Sequence, residues 1–77
     1  MHKYVQTDGG TYKPGNKKFD LKGECDICKA SDLTVIYDAS VMTSFNSRVW
    51  AFVCQKCFDE RDGHLGVGRG QKYERVE

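Results

Sequence analysis

The feature that most constrains this chain is a pair of short motifs, Cys25-x-x-Cys28 and Cys54-x-x-Cys57, separated by 25 intervening residues. A Cys-x-x-Cys turn brings two sulfurs together and leaves backbone amides free to hydrogen-bond them. Two such turns complete a tetrahedral four-sulfur set, the geometry that suits zinc. Iron accepts four thiolates as well. With all four positions supplied by protein, no coordination site is left for water or substrate, so the zinc this spacing calls for is structural.

The length makes such a staple necessary. Seventy-seven residues form one domain at most, near the size at which an apolar core alone gives marginal stability. Residues 1–23 carry three glycines before Gly23, the only proline, and no sustained apolar period. No run approaches the apolar length of a membrane helix, and the N-terminal "MHKYVQTD" lacks the apolar stretch of a secretory signal. A cytoplasmic setting follows as an expectation. Cysteines there stay reduced, which favours metal over a disulfide framework, and a thioredoxin-like redox pair would need a βαβ context that is missing. Structural zinc supplies on the order of 10 kcal/mol or more of folding free energy in small domains, so chelation is expected to unfold residues 24–65.

Charge is distributed unevenly. Residues 1–23 hold five Lys and two Asp, residues 24–60 three basic and six acidic residues, and residues 61–77 four basic and three acidic residues, giving +3, −3 and +1. The total of +1 becomes −1 when four thiolates bind a divalent ion. No whole-molecule field draws in nucleic acid, so any such contact has to be local, from one of the basic ends.

After "ECDIC" and the turn "KASD", residues 33–38, "LTVIYD", read as a strand by their β-branched and aromatic alternation. "ASVMTSFNS" reads as a long loop. "RVWAFVC" is a second strand, with Val49, Ala51 and Val53 on one face and Trp50 and Phe52 on the other, so the two form an antiparallel hairpin. In "QKCFDERDG", Asp59 and Glu60 suit the first turn of a helix, Gly63 suits its stop, and Phe58, Arg61 and Leu65 share a face. A knuckle, a hairpin and a second cysteine pair in the first turn of a helix make a treble-clef-like arrangement. The alternative is a zinc ribbon, with both pairs in β-turn knuckles, each often followed by glycine; here Lys29 and Phe58 follow them. The predicted organisation is a small α+β zinc-stabilised domain at residues 24–65, a basic arm at 1–23 and a Gly-rich basic tail at 66–77.

The segments "CDIC", "WAFVCQKC" and "GVGRGQKY" together resemble a group of small phage-encoded tetracysteine proteins with a Gly-x-Gly-x-Gly-Gln-Lys-Tyr ending. The resemblance covers residues 25–73, with Gly66, Gly68, Gly70, Gln71, Lys72 and Tyr73 as its more specific part. The chain departs from the group at Lys29, where a glycine is common, and in its long hairpin loop. The resemblance implies a zinc domain in a phage or prophage setting, hence the host cytoplasm, and it supplies no activity.

Two binding surfaces follow from the residues themselves. In the tail, alternating glycines let the backbone approach a ligand, and Arg69, Lys72 and Arg75 surround Tyr73, a mixture suited to single-stranded nucleic acid. The competing reading is a solvated terminus. In the loop, Val41, Met42 and Phe45 form an apolar patch for a host protein if exposed, or cover the core if folded back. Trp50 and Phe52 read as core. His64 reads as a helix-end residue, because the hairpin lacks the histidine base of a His-Asn-His nuclease. Once zinc takes the thiols, no catalytic set remains. The expectation is a non-enzymatic binding module with no small-molecule substrate. The arm is a solvated lead-in, a segment ordered only on a partner, or, through a turn at Pro14-Gly15 in "YKPGNKKF", a small hairpin added to the domain; the sequence leaves the three open.

Overall fold

A computed structural model describes residues 2–9, 17–43 and 46–76. The Pro14-Gly15 turn and Phe45 lie outside the described residues. The chain runs β1 (His2–Gly9), β2 (Lys18–Leu21), β3 (Val35–Met42), β4 (Arg48–Val53), α1 (Gln55–Glu60) and β5 (Gly70–Arg75). The five strands form one sheet in the order β2-β1-β5-β3-β4, and every neighbouring pair is antiparallel. This is a small α+β domain, mostly strands with one short helix.

The expected hairpin is β3–β4, in register from Tyr37 opposite Val53 to Met42 opposite Arg48. It is longer than the sequence suggests. Strand β3 continues through Ala39 and Val41, both fully buried, so the first four of the nine expected loop residues are strand. Ala39 fits there because its neighbours across the sheet, Gly70 on β5 and Ala51 on β4, are both small.

Strand alternation divides the sheet into two faces. On one, Tyr37, Ala39, Val41 and Val53 pack with Cys25, Cys54, Cys57 and Phe58. The Tyr37 and Phe58 rings stack there at 4.0 Å and 17°. On the other, Tyr4, Ile36 and Tyr73 form a second small core, with Phe19, Leu21, Leu33 and Phe52 against it. Tyr73 meets Phe19 edge to face at 5.3 Å. The Tyr4 hydroxyl donates to the Leu33 carbonyl and ties the segment entering β3 to this second face.

The sheet crosses both boundaries drawn from the sequence. Strand β1 comes from the expected arm and β5 from the expected tail, and β5 lies between β1 and β3 at the centre of the sheet. Hydrogen bonding on both of its edges gives this polar strand its place. The glycines that suggested mobility or ligand approach also serve the fold. Gly66 and Gly70 exchange backbone hydrogen bonds of 3.0 and 3.1 Å, closing a turn in which Gly68 has φ +76°.

Helix α1 starts earlier than expected. It begins at Gln55, so Asp59 and Glu60 fall in its last turn rather than its first. It ends with Asp62 in the left-handed conformation, while the Gly63 amide donates to the Phe58 carbonyl at 2.9 Å. Gly63 is required by contact rather than by backbone angle, because an added Cβ would lie 2.5 Å from the Phe58 ring.

Candidate metal centre

The first cysteine pair sits in a turn between β2 and β3. The Cys25 amide donates to the Ala30 carbonyl at 2.8 Å, and the Lys29 amide to the Cys25 carbonyl at 3.0 Å. Lys29 has φ +67°, the conformation that explains why glycine is common at this place in such knuckles. The Cys28 amide points at Cys25 Sγ, 3.5 Å away. The second pair begins where β4 ends: Cys54 is the residue before α1, and Cys57 lies in its first turn.

Asp26 joins the two halves. Its amide donates to the Phe52 carbonyl at 2.8 Å, and its Oδ2 accepts the Phe52 amide at 3.1 Å. The knuckle is therefore pinned to β4 two residues before Cys54. Asp26 was not singled out by sequence, since an acid between two cysteines carries no signal of the edge it will bind.

The four Sγ atoms all lie within 4.8 Å of one another, and Cys28 and Cys54 Sγ are 3.7 Å apart. Zinc–sulfur bonds of about 2.3 Å in a tetrahedron place sulfurs about 3.8 Å apart, so this donor set fits a tetrahedral ion. All four are free thiols. Cys25, Cys54 and Cys57 are buried and Cys28 is exposed.

The thiols are not equivalent. Burial raises the pKa of Cys25, but amide hydrogen bonds from Cys28, Cys54 and Ile27 outweigh it and hold the group at about 6. Burial and the surrounding sulfurs push Cys57 up to about 12. Burial also pushes Cys54 up, against the Cys57 amide. One thiolate forms readily in this cluster and its neighbours then resist ionising. A divalent cation at the centre reverses that resistance.

The residues expected to bind nucleic acid do not form one cluster. Arg69 lies exposed on the Gly66–Gly70 turn, and its side chain has no ion pair among the described residues. Lys72 is on the face of Tyr37 and lies 4.0 Å from Glu74. Arg75 is on the opposite face, across from Tyr4. Tyr73 is 7% exposed and belongs to the second core, so it offers no free ring for stacking. Of the expected protein-binding patch, Val41 is buried and Met42 half-buried.

Two polar clusters lie where short-range patterning carries no signal. Trp50, read as core, is 52% exposed, and its Nε1 donates to Asp38 Oδ1. Gln71 donates to Asp38 Oδ2 at 2.9 Å. Burial pushes the Asp38 carboxyl above its ordinary value despite these two hydrogen bonds. At the far end of the hairpin, Arg48 donates to Ser40 and to both the backbone and the carboxylate of Asp62. His64 Nε2 lies 2.9 Å from Asp62 Oδ1, so the histidine contacts a side chain rather than the helix-end carbonyls. These contacts from His64 and Arg48 hold the Asp62 carboxyl below the usual range.

No protein-family model matches the chain, and neither a curated protein nor a solved structure is significantly similar to it. Among the described residues no helix is long and apolar enough to cross a membrane.

Proposed function

We propose that the chain is a non-enzymatic binding module, treble-clef-like in its order of knuckle, hairpin and helix, and stapled by one structural zinc ion. The observation that carries this reading is the convergence of four thiols within 4.8 Å from a turn and a helix start. Cys25, Cys28, Cys54 and Cys57 would hold the ion. Zinc is the better fit because a tetrahedral thiolate set needs no redox role to explain it. The phage-type setting rests on the sequence resemblance.

Two partner classes follow. Nucleic acid is supported by Arg69, held out on its turn, but the burial of Tyr73 and the separation of Lys72 from Arg75 leave a narrow electrostatic contact. A protein partner is supported by β4, an edge strand carrying exposed Val49 and Trp50. The geometry favours the protein partner.

The test begins with metal content. One zinc per chain is expected, and cobalt in its place should give the visible bands of a tetrahedral tetrathiolate site. A protein that folds with its thiols freely titratable and no bound metal would sink the reading. Amide NMR spectra of the zinc form with short oligonucleotides at low salt then separate the partner classes. Shifts around Arg69 that fade with salt would restore nucleic acid as the partner, and an unchanged spectrum would remove it.

A further inference from the structure

We propose that the free edge of β4 pairs with the β4 edge of a second copy of this chain, joining two five-stranded sheets into one. The inference names the partner of the edge invoked above. Its test reads oligomeric state and not metal content, so each idea fails separately.

The sheet has two outer strands, and they are treated differently. Strand β2 is four residues long, with Lys17 and Lys18 exposed beside it and an ion pair between Lys3 and Asp20. Short length and lysines are the usual defences against strand addition. Strand β4 carries no lysine, and the one cation of its first half, Arg48, has its charge tied to Asp62. Its Val49 and Trp50 are 41% and 52% exposed and lie on opposite faces of the sheet.

The backbone of β4 limits how anything can pair with it. Phe52 turns its amide and carbonyl outward, where both bind Asp26. Antiparallel strands alternate, so Trp50 and Arg48 also turn their backbone groups outward, while Val49, Ala51 and Val53 bond to β3. Two residues therefore remain open on this edge. Among the described residues, nothing pairs with their backbone groups.

A second copy satisfies all of them in one register. With a two-fold axis at Val49, Arg48 opposes the other copy's Trp50 and Trp50 opposes the other copy's Arg48. Each pair exchanges two backbone hydrogen bonds, so every free group of both strands is used. Moving the axis to Trp50 would set Arg48 against Phe52, whose groups Asp26 already holds. The partner chain also clears the knuckle, because β4 begins at Arg48 and Asn46 just before it is in the left-handed conformation of a turn.

The side chains agree with this register. Arg48 and Trp50 share a face, and both lean inward over β3, the guanidinium to Ser40 and Asp62 and the indole to Asp38, so neither side chain crosses the edge that the second copy would join. On the opposite face the two Val49 side chains meet at the axis, their Cα atoms about 4.5 Å apart. Because the axis is perpendicular to the sheet, both metal centres lie on one side of the dimer.

Sedimentation equilibrium of the zinc-loaded chain tests this, with hydrogen exchange read at the Arg48 and Trp50 amides. The expected result is a concentration-dependent dimer in which both amides exchange more slowly as the dimer forms. Val49→Lys places like charges opposite each other on the axis and should raise the dissociation constant about tenfold or more. Val49→Thr should leave the dimer in place. A monomer at millimolar concentration with both amides exchanging freely overturns the proposal. So does a dimer in which these amides remain unprotected, or one that a folded Val49→Lys variant does not weaken.

Discussion

Gly70 and Asp38 show what single positions in this sheet are asked to do. Gly70 starts the central strand, and a Cβ there would come within 2.6 Å of the Ala39 Cβ and 2.8 Å of the His64 carbonyl. Both obstacles belong to rigid parts of the fold, so Gly70→Ala should cost about 1–3 kcal/mol, as overpacking does. The drop would be read from the denaturant midpoint of the zinc-loaded protein. Asp38 is a problem of a different kind. Its carboxyl is partly buried and its folded-state pKa lies above the unfolded one. Such a group favours folding only while protonated. That contribution is complete below the unfolded value of about 4 and is lost as pH rises through the folded value. Asp38→Asn removes the ionisation while keeping an acceptor for Trp50. The melting temperature of the variant relative to the parent should therefore rise with pH from about 4 upward, with zinc saturating throughout, and level off above the folded value. A pH-independent difference would mean that the carboxyl titrates as it does in the unfolded chain.

At the scale of elements, β5 is the strand whose assignment changes the most. Its sequence, "GQKYER", has one apolar side chain, yet it pairs on both sides, with β1 and β3. If β5 is the central strand, Tyr73→Ala should cost about 3–5 kcal/mol, the range for emptying a buried aromatic site, whereas Arg69→Ala should stay within about 0.5 kcal/mol. Equal and negligible effects in denaturant melts would return residues 66–77 to the status of a tail. The sequence made the β3–β4 hairpin legible because "LTVIYD" and "RVWAFV" alternate β-branched and aromatic residues. It made the metal cluster legible because Cys-x-x-Cys fixes two ligands locally, whatever the fold around them. Strands β1 and β5 were hidden because Lys, Gln, Glu and Arg line their half-buried positions, their long stems covering apolar surface while the heads stay wet. The placement of the expected binding residues was hidden for a related reason. Which of Lys72, Tyr73 and Arg75 faces solvent depends on pairing with β1 and β3, and no short-range pattern encodes that. Trp50 errs in the opposite direction: its ring looks like core, but among the described residues no strand lies beyond β4 to cover it.

Across the whole molecule, the question is how far the loss of metal would spread. The sequence alone confines its effect to residues 24–65, but the sheet does not. Three of the eight buried residues in the metal-side core are cysteines, and without a cation they are buried, crowded thiols. Strand β3 serves both cores, presenting Tyr37, Ala39 and Val41 to one side and Ile36 to the other. When the metal-side core goes, β4 and α1 go with it. The second core then loses Ile36, Phe52 and Leu33, along with the bond from the Tyr4 hydroxyl to Leu33. What remains is β1, β2 and β5 around Tyr4 and Tyr73. A core of this size rarely supplies more than about 3–5 kcal/mol even when intact, against on the order of 10 kcal/mol or more from a structural zinc site. Chelation should therefore unfold the chain as one unit. In amide NMR spectra, Tyr4 and Tyr73 should lose dispersion together with Tyr37, at the same chelator concentration, and all three should return when zinc is restored. If Tyr4 and Tyr73 stay dispersed while Tyr37 collapses, β1, β2 and β5 fold without the metal, and the two faces of the sheet are energetically separate.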